Sequence, residues 1–185
     1  MIIIKIARRI VRVRRQVILT LGDGGAGSFL DSSVSVVPAS QVTVGDIDEY
    51  VASNRAVSEM EEFLMSGKLG VQAYVDGEPA GHAWATSSRD SEMTVNGYFR
   101  LPPNASLIHH CRVSEKYRGR GVYGAMLRQL VALLGEAEGG LVILDAERGN
   151  RASIVGAGRA GFKVVGEGTY IQIVGKTVAT RQRGI

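Results

Sequence analysis

The sequence predicts a single α/β domain built on a mixed sheet with helices on both faces, and three observations lead there. Apolar residues follow helical spacing in the early segments, alternate through a hairpin, then switch repeatedly. The order runs helices, hairpin, strand, helix, strand, helix, hairpin. A chain of 185 residues with 45% hydrophobic content is long enough for one real core and short for two. No internal repeat of solenoid length breaks the order.

Residues 2–16 place Lys5, Arg8, Arg9, Arg12, Arg15 and Gln16 on one side, and Ile3, Ile6, Ala7, Ile10 and Val11 between them at three-four spacing. That spacing predicts a helix with one basic face, with a strand over residues 10–21 as the competing reading. Residues 16–21 read as a short strand, the glycine run at 22–28 as a loop, and residues 32–37 as extended before a break at 38–41. Helices are expected over 44–54, with Val44, Ile47, Tyr50 and Val51 on one face, and over 56–66, with Val57, Met60, Phe63 and Leu64. Gly67 and Gly70 end the second.

Residues 70–86 read as a hairpin turned at Asp76-Gly77, where Val71, Ala73 and Val75 alternate and Trp84 lies on the return. A polar loop over 87–96 follows, and Leu101-Pro102-Pro103 introduces a central strand. Beyond it come a helix from Val122 to about Gly135, a strand over 141–145 and a short helix over 150–157. A closing strand pair, 162–165 with 170–174, is expected to turn at Gly166 to Gly168. One domain over 1–185 is thus expected, with 1–40 an N-terminal extension carrying the basic segment and 41–175 the core.

The formal charge is +4, but six basic residues fall between Lys5 and Arg15 and three more near the C-terminus. The remainder is slightly acidic, so nucleic acid is not implied. Residues 5–15 leave a peripheral contact with an anionic membrane or an acidic partner open, beside the plainer reading of a solvated face. The lone Cys111 excludes an internal disulfide framework and a multi-cysteine metal site, and a reducing cytoplasm is the expected setting. No apolar run approaches the roughly 20 residues of a membrane span.

The stretch SLIHHCRVSEKYRGRGVYG, residues 106–124, runs from a strand through a polar connection into a glycine-rich loop at a helix start. First-turn amides lack intrahelical partners and the dipole is positive there, so the loop is an anion cradle. Gly119, Gly121 and Gly124 match the G-x-G-x-x-G spacing, as do Gly156, Gly158 and Gly161, but 24 glycines make such matches cheap. A dinucleotide fold needs a strand running directly into the first glycine and more chain after it than either site has. Neither site contains the Gly-Lys-Ser/Thr of a Walker loop.

Val113-Ser-Glu-Lys-Tyr-Arg-Gly-Arg-Gly-Val-Tyr-Gly-Ala-Met-Leu127 resembles the acetyl-CoA signature of the GNAT superfamily of N-acetyltransferases. Asn150, Ser153, Arg159, Gly161 and Phe162 are similar to the family's second block, and the Asp76-Gly77 hairpin to its second and third strands. The resemblance implies a mostly antiparallel sheet of about six or seven strands. It also implies acetyl-CoA as cosubstrate and a small-molecule or peptide amine as acceptor, attacked directly in a ternary complex. A homodimer is an open expectation, and no metal is implied.

By this resemblance the cofactor residues are Arg118, Gly119, Arg120, Gly121, Val122, Tyr123 and Gly124, with backbone roles for Cys111, Arg112 and Val113, and Asn150 and Ser153 downstream. His109 and His110 are the candidate bases. Alternation along a strand would turn the two to opposite faces, favouring His110 and leaving Cys111 as a core residue rather than a nucleophile. Glu115 and Tyr123 depart from the commonest family residues. Ala157 stands where many members carry a tyrosine acid, which leaves Tyr123, Tyr170 or solvent to protonate the thiolate. A catalytically silent acyl-CoA-binding or regulatory module is the alternative function.

Overall fold

A computed structural model of the chain describes residues 11–22, 33–39, 54–89, 100–137, 140–174 and 176–184. The helix expected over 44–54 and most of the loop expected over 87–96 lie outside them. Eight strands form one mixed, mostly antiparallel sheet: β1 (Val11–Leu21), β2 (Val34–Pro38), β3 (Gly70–Val75), β4 (Glu78–Ser87), β5 (Ala105–Val113), β6 (Leu141–Glu147), β7 (Phe162–Ile173) and β8 (Lys176–Arg183). Their spatial order is β2-β3-β4-β5-β6-β1-β7-β8. Among the described residues only β5 and β6 pair in parallel, joined by α2 (Val122–Ala137). Such a pair needs a crossover rather than a hairpin.

Helices cover both faces. Val122, Met126, Leu127, Leu130 and Leu134 of α2 pack with Val71, Ala73, Ala83, Ile108 and Leu144. Ala157 of α3 (Arg151–Arg159) and Phe162 join the same core. Trp84 alternates with Ala83 and Ala85 and so faces the other side, where it meets Met60 and Phe63 of α1 (Asn54–Met65). Ile18, Leu107, Ile143 and Tyr170 form a further buried cluster. The hairpin turn at Asp76-Gly77 has φ of 53° and 85°, the paired positive values of a tight hairpin turn.

Two expectations are corrected. Residues 11–16 are strand, not helix: all six pair antiparallel with β7, Gln16 also pairs with β6, and the long β7 ladder takes up the backbone groups along that edge. The closing segment does not turn at Gly166 to Gly168. β7 runs unbroken from Phe162 to Ile173 and pairs with β8, which the sequence reading did not anticipate. A Cβ at Gly166 would stand 2.1 Å from the Arg183 carbonyl oxygen, and one at Gly168 would stand 2.5 Å from the Tyr170 hydroxyl. These glycines are there for close packing.

Candidate active site

β5 and β6 pair only from Ala105↔Leu141 to Ile108↔Leu144. Beyond that β6 continues on β1, while β5 continues on β4 alone, so the sheet opens between β5 and β6. Ser114 N–H donates to the Ala80 carbonyl of β4 at 2.8 Å. Successive amides point to alternate edges, which on the regular end of β5 aims that of Val113 into the opening and that of Arg112 at β4.

A groove of about 1240 Å³ extends from this opening. Cys111, Arg112 and Val113 line one end, Arg118, Gly119, Gly121, Tyr123 and Gly124 the middle, and Asn150 and Ser153 the α3 side. Gly119 and Gly121 have φ of 84° and 79°, a region that side chains rarely occupy. The amides of Val122, Tyr123 and Gly124 precede the first helical bond of α2, from Ala125 N–H to the Gly121 carbonyl at 3.0 Å. The Arg128 guanidinium would lie 3.3 Å from a Cβ at Gly124, which puts a cation beside these amides. Fixed N–H donors, glycine backbone and arginine suit a pyrophosphate, so the donor set fits the coenzyme that the sequence implies. Among the described residues no cluster could hold a metal ion.

Not every candidate side chain turns to the groove. Arg120 reaches Ser33 Oγ at 2.8 Å and Asp76 at 3.5 Å, and Val122 is buried in the core. Glu78 holds the connection before the loop: its carboxylate accepts from Lys116 and from the Tyr117 hydroxyl, and these two contacts keep it below the usual carboxylate range. Asn150 caps α3, its Oδ1 accepting from Ser153 N–H at 3.1 Å. Tyr123 stands 3.1 Å from Ser153 Oγ and packs its ring where a Cβ on Gly156 would be. Burial raises its pKa, with the Cys111 thiol and Asp145 adding to the rise against the lowering bond from Ser153. Tyr170 is fully buried in the Ile18, Leu107 and Ile143 cluster, outside the groove lining.

The histidines overturn the expected alternation. Between His82↔Arg112 and Trp84↔His109, β5 spends one more residue than β4, and His110 has φ of 49°. This bulge turns both imidazoles to one side, where their Nδ1 atoms approach to 2.7 Å and both rings meet Phe63 of α1 edge-on, at 5.3 and 5.1 Å. His109 Nε2 lies 2.8 Å from Thr86 Oγ1, and His110 Nε2 lies 3.6 Å from Glu59 Oε2. Burial lowers both histidine pKa values; His110 and Lys68 lower that of His109 further, while Glu59 raises and Lys68 lowers that of His110. Glu59, Thr86 and the bulge were missed in the sequence, which carries no local signal for them. Cys111 packs toward the α2 core, and burial followed by Asp145 pushes its thiol up to about 12, which makes it a poor nucleophile at neutral pH.

A sequence profile described as the acetyltransferase (GNAT) family matches residues 45–162. No curated protein matches the chain. Among solved structures it is similar to a putative acetyltransferase from the GNAT family of Novosphingobium aromaticivorans, with TM-score 0.60 and 20% identity over 88% of this chain and 65% of that one. A Drosophila protein gives TM-score 0.64 and 13% identity over 92% and 55%. A GCN5-related N-acetyltransferase-like protein of Streptococcus suis gives 0.59 and 17% over 93% and 66%. The chain thus spans less than two thirds of each of these three, and at such identities they speak to the fold.

Proposed function

The chain belongs to the GNAT acetyltransferase family, and from that premise we propose that it is an N-acetyltransferase that passes the acetyl group of acetyl-CoA directly to a primary amine, both substrates being bound at once. The observation that carries this reading is the parting of β5 from β6 beside a glycine-loop cradle, in one continuous groove. When bound, acetyl-CoA supplies an acyl group already activated as a thioester.

The chain's residues supply the rest. The loop at Gly119 and Gly121, the first amides of α2 and Arg128 hold the anionic end. The Val113 amide is aimed at the opening and serves, with that of Cys111 at the same end of the groove, as donor for a developing oxyanion, with Arg112 pinning the strand to β4. Bringing amine and thioester into one gap supplies proximity. On the α1 side, the His109 and His110 pair takes the amine's proton, because buried neutral imidazoles retain a lone pair at neutral pH. Tyr123 donates to the departing sulfur, backed by Ser153.

Calorimetric titration with acetyl-CoA and with NADH, followed by thiol release across a panel of amines, tests this. Binding and turnover are the expected result. Acetyl-CoA binding with no turnover would favour a silent acyl-CoA module, and NADH binding alone would sink both readings.

A further inference from the structure

All three histidines of the chain gather around the β5 bulge: His109 and His110 on β5, and His82 opposite Arg112 on β4. Thr86, His109, His110 and Glu59 are joined end to end at 2.8, 2.7 and 3.6 Å. The 2.7 Å contact between two ring nitrogens holds a single proton. Two bare nitrogens would bring lone pairs together, and two N–H groups would bring hydrogens into collision.

That leaves two arrangements. In the first, the Thr86 hydroxyl donates to His109 Nε2, His109 Nδ1–H donates to His110 Nδ1, and His110 carries its own proton on Nε2, facing Glu59. In the second, every bond reverses: His110 Nδ1–H donates to His109, His109 Nε2–H donates to Thr86, and His110 Nε2 is bare. Because a hydroxyl both donates and accepts, each arrangement keeps both internal hydrogen bonds. The balance is therefore decided at the Glu59 end, where an ionised carboxylate attracts Nε2–H and repels a bare lone pair.

We propose that Glu59 and His110 form the docking point for a protonated primary amine, and that the arriving cation switches the chain from the first arrangement to the second, baring His110 Nε2 as the base. A cation seated between carboxylate and ring offsets the pull of Glu59 on Nε2–H and offers its own N–H to the bared nitrogen. One N–H bond of the ammonium breaks, its electron pair stays on the amine nitrogen, and the proton joins His110 Nε2. The amine is now the nucleophile, and the imidazolium keeps its Nδ1–H on His109. The proton leaves to solvent past Glu59, whose side chain is 36% exposed.

The charged and titratable neighbours fit this cycle. Lys68 opposes a charge on either ring, burial above all and then any charge on His110 and that of Arg112 hold His82 down, and among the described residues Glu59 is the group that favours the cation on His110. His109 and Thr86 act as positioning residues and His110 as the group that touches the amine. The proposal rests on the acetyltransferase reading and adds the acceptor's charge and the residue that recognises it.

Ring nitrogen-15 NMR of the full chain reads the His110 tautomer without turnover. Near neutral pH the free protein is expected as Nε2–H, and ethylammonium chloride is expected to move it to Nδ1–H while sodium chloride at equal ionic strength does not. Glu59→Ala should lose the Nε2–H preference with no amine present, and in the turnover assay it should raise KM for cationic amines on the order of tenfold. A tautomer indifferent to both ethylammonium and Glu59→Ala overturns the switch, and a response to Glu59→Ala alone overturns the amine's part in it. The acetyltransferase reading fails separately, by loss of acetyl-CoA binding in the calorimeter.

Discussion

The hydroxyls of Tyr123 and Ser153 stand 3.1 Å apart, tying the first turn of α2 to the first turn of α3 along the groove. Tyr123→Phe keeps the ring against Gly156 and removes only the donor. Its kcat in the thiol-release assay is expected to fall about 100-fold, the lower end of the usual range for a lost proton donor. Acetyl-CoA affinity by calorimetry should change little. An unchanged kcat would assign the thiolate's proton to solvent.

Gly121 lies at φ 79° in the cradle. Gly121→Ala is expected to cost about 1–2 kcal/mol of stability from the left-handed backbone. The new methyl group also crowds the donors, so acetyl-CoA affinity should drop by about tenfold, or 1.4 kcal/mol. Thermal melts and calorimetry separate the two effects. Undiminished affinity would remove the cradle as the anion site.

Arg120 holds the loop to the β3–β4 turn through Asp76 and to the start of β2 through Ser33. If it acts as a tether, Arg120→Ala and Asp76→Ala should weaken acetyl-CoA binding alike, and the double variant no more than either. An Arg120→Ala effect much larger than that of Asp76→Ala would mean direct contact with the coenzyme. Stability should move by less than about 1 kcal/mol, as for an exposed ion pair.

Burial first, and then the charges of His110 and Arg112, lower His82 from the ordinary 6.5 to about 4. Between those values the unfolded chain binds a proton that the folded one excludes, so stability rises with pH. The contribution is complete above the unfolded value and is lost as pH falls toward 4, up to about 3 kcal/mol. His82→Gln should shrink the difference between urea midpoints measured at about pH 7 and about pH 5. An undiminished difference would shift the acid sensitivity to His109 and His110.

Local signals were legible where the backbone itself imposes the residue. Asp76-Gly77 read correctly as a turn because its φ values are positive, and the loop and α2 were visible from Gly119, Gly121 and the apolar spacing that follows. The first half of β1 was not, because Val11-Arg-Val-Arg-Arg15 satisfies helical and alternating spacing about equally and pairing with β7 decided the matter, whereas residues 16–21 read correctly as strand. Gly166 and Gly168 looked like a turn because glycine required by close packing carries the same letter as glycine required by φ. For the site, the groove residues lay in two short stretches, 111–128 and 150–159, both of which carry recognisable local patterns. The His109 and His110 geometry depended on a one-residue mismatch between β4 and β5, which a single sequence does not display.

The place of β1 in the sheet bears on how the chain is made. Its two neighbours are β6 and β7, so Gln16 waits for Glu147 and Val11 for Ile173, while β3 and β4 close on themselves as soon as both have left the ribosome. Pairings this distant in sequence form slowly and leave strand edges exposed meanwhile. During synthesis, then, one of the earliest strands completes its half of the sheet last, and the opening between β5 and β6 takes its final shape only after β6 has docked.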